Sequence, residues 1–191
     1  MMKLFSICGL LFILLTSENC SGVKGQNDKE TLTVEYVCLP CGRDCDNTTY
    51  TKPGICEHCN MKLVEKSGVV FNKVEPEQLC SFIDSIGEKN MVLLDVRTSE
   101  EFDGRAEDKF GSLKNAINIP VQELEKRIIE IEKYKDKQII VYCSHSHRSP
   151  RASYMLTQNG FKHITNMQEG MSVWKERVTD NDCNRKIFVQ Q

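Results

Sequence analysis

The sequence predicts an α/β fold in which a parallel sheet carries helices on both faces, preceded by a small N-terminal cysteine module. Short continuous apolar runs such as Met91–Val96 and Ile139–Tyr142 alternate with segments whose apolar residues recur at helical spacing. Repeated β–α units of this kind close on a parallel sheet buried on both sides. Ahead of them, Cys38-Leu39-Pro40-Cys41 and Cys56-Glu57-His58-Cys59 form two C-x2-C knuckles separated by fourteen residues. A chain of 191 residues has room for one domain of ordinary size and one small module. The net charge is −2, with Lys and Arg scattered among acids, so no basic stripe points to nucleic acid.

In chain order, residues 1–20 read as an export signal: Lys3 supplies the positive start, and Leu4 to Leu15 form an apolar core too short to span a bilayer as a helix. Cys20 stands where bacterial lipoprotein signals place the lipidated cysteine. Ser17-Glu18-Asn19 before it departs from the usual lipobox, and a secretory signal cut nearby is the alternative. The expectation is an exported protein of the bacterial cell envelope, lipid-anchored to a membrane through Cys20. Residues 21–33 are polar, with Gly22, Gly25 and Asn27, and read as a flexible tether.

Residues 34–66 hold the knuckles, with a Pro53-Gly54 turn just before the second. Thiolates from Cys38, Cys41, Cys56 and Cys59 at this spacing close a tetrahedral structural Zn²⁺ site, a zinc-ribbon-like module. In an oxidising compartment the same cysteines can instead pair as disulfides, and a labile functional metal is a third option. Cys45 is a fifth thiol that can replace a ligand, pair with a neighbour or stay free; His58 reads as a solvated turn residue.

Residues 72–178 carry the α/β pattern. Glu75-Pro76-Glu77 opens a helix whose Leu79, Phe82, Ile83 and Ile86 share one face, with Cys80 packing beside it. Strands follow at Met91–Val96 and Ala116–Ile119, then a second amphipathic helix marked by Leu124, Ile128, Ile131 and Tyr134. Ile139–Tyr142 is the next strand, Ala152–Gln158 a helix ended by Gly160, and Ile164–Met167 the last strand. Residues 179–191 read as a polar tail in which Cys183 pairs with another cysteine, resolves a persulfide or is incidental.

The loop Cys143-Ser144-His145-Ser146-His147-Arg148 joins the Ile139–Tyr142 strand to a helix opened by Ser149-Pro150. Unpaired amides and the helix dipole at that point favour negative charge, so a cysteine there is expected to be drawn towards thiolate. Loops at the carboxyl ends of parallel strands are where ligands bind. Four residues separate Cys143 from Arg148, one fewer than in the wider loops of cysteine phosphatases. The shorter ring suits a single sulfur atom and argues against a phosphatase or arsenate reductase.

From about Val74 to Trp174 the chain resembles the rhodaneses, the sulfurtransferase family. The resemblance rests on Leu93-Leu94-Asp95-Val96-Arg97 with Glu101-Phe102, on Gly111 to Pro120, on the Cys143 loop, on Asn159-Gly160-Phe161, and on Gly170 with Trp174. Family loops commonly carry Gly at the place of Ser146 and His at the place of Ser112. The resemblance implies that Cys143 takes a sulfane sulfur from a small anionic donor such as thiosulfate and passes it, as a persulfide, to a thiol or cyanide-like acceptor. In that reading the amides of Ser144, His145, Ser146, His147 and Ser149 hold the sulfur anion. Arg148 orients the donor or ties down the loop, and the Ser149 hydroxyl donates to the persulfide. Asp95 and Arg97 brace neighbouring loops, while His145 and His147 either tune the site or point outward. No organic cofactor is expected. A non-catalytic module that binds sulfur or metal is the alternative. The segment Tyr36 to Leu63 is similar to small heavy-metal-binding modules, which usually carry Met and His after the first Cys, where this chain has Leu39-Pro40-Cys41.

Overall fold

The computed structural model describes residues 33–39 and 44–191, so the expectations for the export signal, Cys20 and Cys41 lie outside the described residues. In the cysteine module, β1 (Tyr36–Val37) pairs antiparallel with β2 (Thr49–Tyr50) on one side and β3 (Val64–Glu65) on the other. The main sheet contains β4 (Asn72–Val74), β5 (Met91–Asp95), β7 (Ile117–Asn118), β8 (Gln138–Tyr142) and β9 (His163–Met167). Its order is β4-β9-β8-β5-β7, and every neighbouring pair is parallel. The helices are α1 (Leu79–Ile86), the short α2 (Ser99–Phe102) and α3 (Leu124–Arg127), α4 (Arg148–Gln158), α5 (Trp174–Arg177) and α6 (Asp182–Ile187). A separate antiparallel pair joins β6 (Ser112–Leu113) to β10 (Phe188–Val189).

The period-two alternation of the central strands divides the apolar residues between two cores. Ile139 and Val141 of β8, with Val92 and Leu94 of β5, face Leu124, Ile131, Ala152 and Leu156. Ile140 and Tyr142, with Leu93, face the opposite side against Leu79, Ile83, Met171, Trp174 and Ile187. Ile139, Ile140, Val141 and Tyr142 are all fully buried, and each aliphatic among them contributes about 1.5–3 kcal/mol relative to exposure. The strand that delivers Cys143 is therefore held rigidly from both faces.

The second amphipathic helix divides into α3 and a 3-10 segment, Ile128–Tyr134. Ile128, Ile131 and Tyr134 are spaced by three, the period that stacks side chains in a 3-10 turn, and all three pack on the first core. Ile129, off that line, is exposed.

The C-terminal segment, read from sequence as a polar tail, is built into the domain. Asn181 caps α6 by accepting from the Asn184 amide, and β10 pairs with β6. Phe188 stacks on Trp174 at 5.5 Å and lies so close to Gly111 that a Cβ there would sit 2.4 Å from its ring. Gly111 also has φ of +78°, which only glycine adopts freely. Cys80 does more than pack: it forms a disulfide with Cys183, Cα–Cα 6.0 Å, fastening α6 to α1. The bridge closes a sequence separation of 103 residues. On chain-entropy grounds such a crosslink stabilises by several kcal/mol. Cys183→Ser is expected to lower the unfolding free energy by about 2–5 kcal/mol in denaturant titration. A phosphine reductant should destabilise the parent chain and leave the variant unchanged; equal denaturation midpoints for the two proteins would refute this role.

Candidate active site and metal centre

Strand β8 ends at Tyr142 and helix α4 starts at Arg148, so the intervening loop sits at the carboxyl edge of the sheet. Cys143 is buried, 1% exposed, with its Sγ 3.4 Å from the Oγ of the fully buried Ser149. The loop's first two carbonyls are tied from outside: the Met171 amide donates to Cys143 O and the Ser172 amide to Ser144 O, both at 2.9 Å. Gly170 permits this approach. A Cβ on it would lie 2.4 Å from Cys143 O and 2.5 Å from Ser144 O, and its φ is +71°. The amides of Ser144, His145, Ser146 and His147, by contrast, find no acceptor among the described residues. Together with the amino end of the eleven-residue α4, they leave uncommitted donors and partial positive charge in the loop that follows the thiol.

Arg148 does not lie free for a ligand. Its Nη1 and Nη2 donate to the two carboxylate oxygens of Glu101 at 2.6 and 2.7 Å, and Nη2 also donates to Ser144 Oγ at 2.6 Å. The guanidinium is a tie across the loop, its charge balanced by Glu101. Of the two roles expected for Arg148, the geometry is that of tying down the loop. Glu101 itself belongs to a capping box: its side chain accepts from the Thr98 amide while Thr98 Oγ1 accepts from the Glu101 amide. Burial acts to raise its pKa, but the hydrogen bonds from Arg148 and the Thr98 amide outweigh that and hold it at about 2. The Glu101 hydrogen bond in turn keeps the Arg148 pKa above its ordinary value.

Ser146 takes the left-handed conformation, φ +55°, that the family glycine would occupy without cost. Asn166 Nδ2 donates to Ser146 Oγ at 3.2 Å. His145 and His147 are exposed at the mouth, stacked on each other at 6.3 Å, with His145 edge-on to Phe110 at 5.4 Å. Asp95 and Arg97 are fully buried: Arg97 Nε and Nη2 donate to the Asp95 carboxylate, and Nη2 also reaches Gly111 O at 2.9 Å. Burial pulls the Arg97 pKa down, yet the Asp95 contacts leave it raised. The pair fastens β5 to the loop before β6, and neither side chain bonds to the Cys143 loop. Tyr142, whose phenol burial and nearby Asp95 push well above its ordinary pKa, accepts from the Leu113 amide at 3.2 Å. Ser112, at the family histidine position, is buried in β6.

Glu101, Asn166 and Gly170 are the site residues to which sequence reasoning assigned no role. Thr98-x-x-Glu101 ahead of a helix is a capping-box signature and was a usable signal for Glu101. Nothing local marks Asn166, which reaches the loop from β9.

In the cysteine module the sulfurs of Cys38, Cys45, Cys56 and Cys59 lie within 4.8 Å of one another. Edges of a tetrahedral zinc–thiolate centre with bonds of about 2.3 Å measure about 3.8 Å, so this donor set fits a thiophilic ion. Among the described residues the group joins Cys38, Cys56 and Cys59 of the expected set to Cys45, which a 3-10 turn, Asp44–Asn47, brings inward; Cys41 lies outside the described residues. Burial, followed by the hydrogen bond with Cys59 at 3.1 Å that favours the protonated form, pushes the Cys38 thiol up. Cys56 is also subject to a raising effect of burial, but the Tyr50 hydroxyl at 3.6 Å and the amides of His58 and Cys59 hold it at about 6.

A buried cysteine at the end of a central parallel strand, followed by a loop of uncommitted amides that opens a helix, defines a cysteine-loop α/β protein. The rhodanese-like domain family matches residues 81–177, just over half of the 191 residues, and the chain belongs to that family. The heavy metal binding domain family matches residues 36–66. The Bacillus subtilis protein YqhL, uncharacterized, is 36% identical over 92 residues, covering 48% of this chain and 67% of that protein. The Schizosaccharomyces pombe protein named "Putative thiosulfate sulfurtransferase, mitochondrial" is 29% identical over 103 residues, covering 48% of this chain and 68% of that protein. A tRNA uridine(34) hydroxylase of Buchnera aphidicola is 32% identical over 87 residues, covering 44% of this chain and only 26% of its own length.

Two expectations follow from the geometry. Because the Glu101 pKa is depressed in the folded chain, its contribution is present above the ordinary carboxylate range and lost as pH falls from about 4.5 towards about 2. Glu101→Gln should remove that part of the acid-unfolding profile measured by circular dichroism, and an unchanged profile would show that the ion pair does not hold the loop. The cluster should bind one thiophilic ion per chain in elemental analysis, and Cys45→Ser should lose it; full retention by that variant would exclude Cys45 as a ligand.

Proposed function

We propose that the protein is a sulfurtransferase in which Cys143 carries the transferred sulfur. The observation that supports this most directly is the row of acceptor-free amides from Ser144 to His147 beside a buried thiol, with the neighbouring carbonyls turned away. The Cys143 thiolate attacks the outer sulfur of thiosulfate, forming a Cys143–sulfur bond. The sulfur–sulfur bond of the donor breaks, and sulfite leaves with its electron pair. The persulfide anion then lies in the amide cradle, with the Ser149 hydroxyl as a further donor. A thiolate or cyanide acceptor attacks the terminal sulfur, and Cys143 is released as thiolate. Arg148 and Glu101 keep the loop in the conformation that leaves its amides open.

Zinc is the proposed occupant of the Cys38, Cys45, Cys56 and Cys59 cluster, where it would hold three buried thiols and one half-buried thiol together. Export to the bacterial envelope with lipid attachment at Cys20 is proposed from the leader sequence. After incubation with thiosulfate, intact-mass measurement should show one added sulfur atom, absent in Cys143→Ser. Gly170→Ala should lower single-turnover loading by at least about tenfold, because the loop carbonyls must swing inward. No adduct from thiosulfate or any other sulfane donor would overturn the reading and leave a non-catalytic binding module.

A further inference from the structure

Away from the Cys143 loop, an open cleft of about 1110 Å³ follows one side of the main sheet. Strand β7 meets β5 only at Leu94 and Asp95, so Met91, Val92 and Leu93 have β8 on one side and no strand on the other among the described residues. All three line the cleft. Successive side chains of a strand point to opposite faces, so a cleft that touches three in a row meets the strand at its edge, where backbone donors and acceptors lie unpaired. The lining also includes Phe188 and Val189 of β10, which among the described residues pairs with β6 alone.

The charge around this cleft is one-sided. Lys89, Lys114, Lys137 and Lys186 line it, and none of them forms an ion pair among the described residues. Lys137 Nζ donates to the Lys89 backbone carbonyl at 2.7 Å, which fixes that ammonium group at the Lys89 end of the cleft. Arg185 is already engaged by Asp180 and Asp182, and among the described residues Glu88 is the single carboxylate of the lining. A small anion would satisfy the lysines and leave the strand edge bare. The volume also slightly exceeds the range of about 300–1,000 Å³ usual for small-molecule sites.

We propose that this cleft docks an extended acidic segment of a partner polypeptide, which adds a short strand to the open edge of β5 while its carboxylates meet the lysines. Main-chain hydrogen bonds to the Met91–Leu93 edge supply affinity, and the lysines select acidic over basic sequences. The site is independent of the chemistry at Cys143 and operates whether or not sulfur is transferred.

The test is fluorescence anisotropy of the full chain with a labelled peptide of alternating valine and glutamate, against the same peptide with lysine in place of glutamate. Saturable binding of the acidic peptide, weakening as salt rises, is expected, with none for the basic one. Amide hydrogen exchange at residues 91–93 should slow when the acidic peptide is bound. The double variant Lys114→Glu with Lys186→Glu should lose affinity by about tenfold or more at an unchanged melting temperature. If charge reversal disturbs folding, Lys114→Gln with Lys186→Gln is the substitute and should show a smaller loss in the same direction. Equal binding of both peptides, undiminished binding by a folded variant, or absence of saturable binding overturns the proposal. Displacement by citrate with no change in exchange at 91–93 overturns it in favour of a small-anion site.

Discussion

The carbonyls of Cys143 and Ser144 accept hydrogen bonds from Met171 and Ser172, and the shape of the site depends on that outward commitment. A peptide unit turned so that its oxygen faces the scaffold presents its neighbouring N–H groups to the interior of the loop. The geometry requires backbone to approach backbone closely, which Gly170 allows and any side chain there would prevent. Behind the loop, β8 is packed on both faces by apolar side chains, so the loop has a fixed base from which to turn.

Charge is arranged so that no cation in the site is left to act alone. Arg148 is matched by both oxygens of Glu101, and Arg97 by both oxygens of Asp95. A buried ion pair is not a reliable source of stability, since desolvation offsets the attraction, but its two-point geometry fixes the elements that carry it. Here one pair joins α2 to the Cys143 loop, and the other joins β5 to the segment entering β6. What remains for an anion in the loop is the field of backbone dipoles, which is directional and short in range. Backbone donors grouped in this way make an anion-binding concavity without a charged side chain.

Cysteine serves three physical purposes in this chain. Cys143 is a buried thiol within reach of donors; Cys38, Cys45, Cys56 and Cys59 converge as a donor set; and Cys80 with Cys183 forms a covalent tie. The tie secures the segment carrying Phe188, which packs on Gly111, while Phe110 on the same stretch touches His145. Through these contacts the C-terminal segment supports one rim of the Cys143 loop, although it lies beyond the family's matched residues.

The parallel sheet with its flanking helices was legible because its evidence is local: apolar runs of strand length, helical spacing of Leu79, Phe82, Ile83 and Ile86, and a loop set between strand and helix. The presence of a four-cysteine cluster was legible for the same reason, from two paired spacings. The change to a 3-10 segment at Ile128–Tyr134 was written in a spacing of three, which a helical reading absorbs too easily. Tertiary structure alone decided that Cys45 joins the cluster, that Cys80 finds Cys183 across the domain, that Arg148 is held by Glu101, and that Asn166 supports Ser146. Each of these depends on which distant segment arrives at a given point, and local residue pattern carries no record of that approach. Sequence determines the elements and the chemical groups they bear; packing of those elements determines which groups meet.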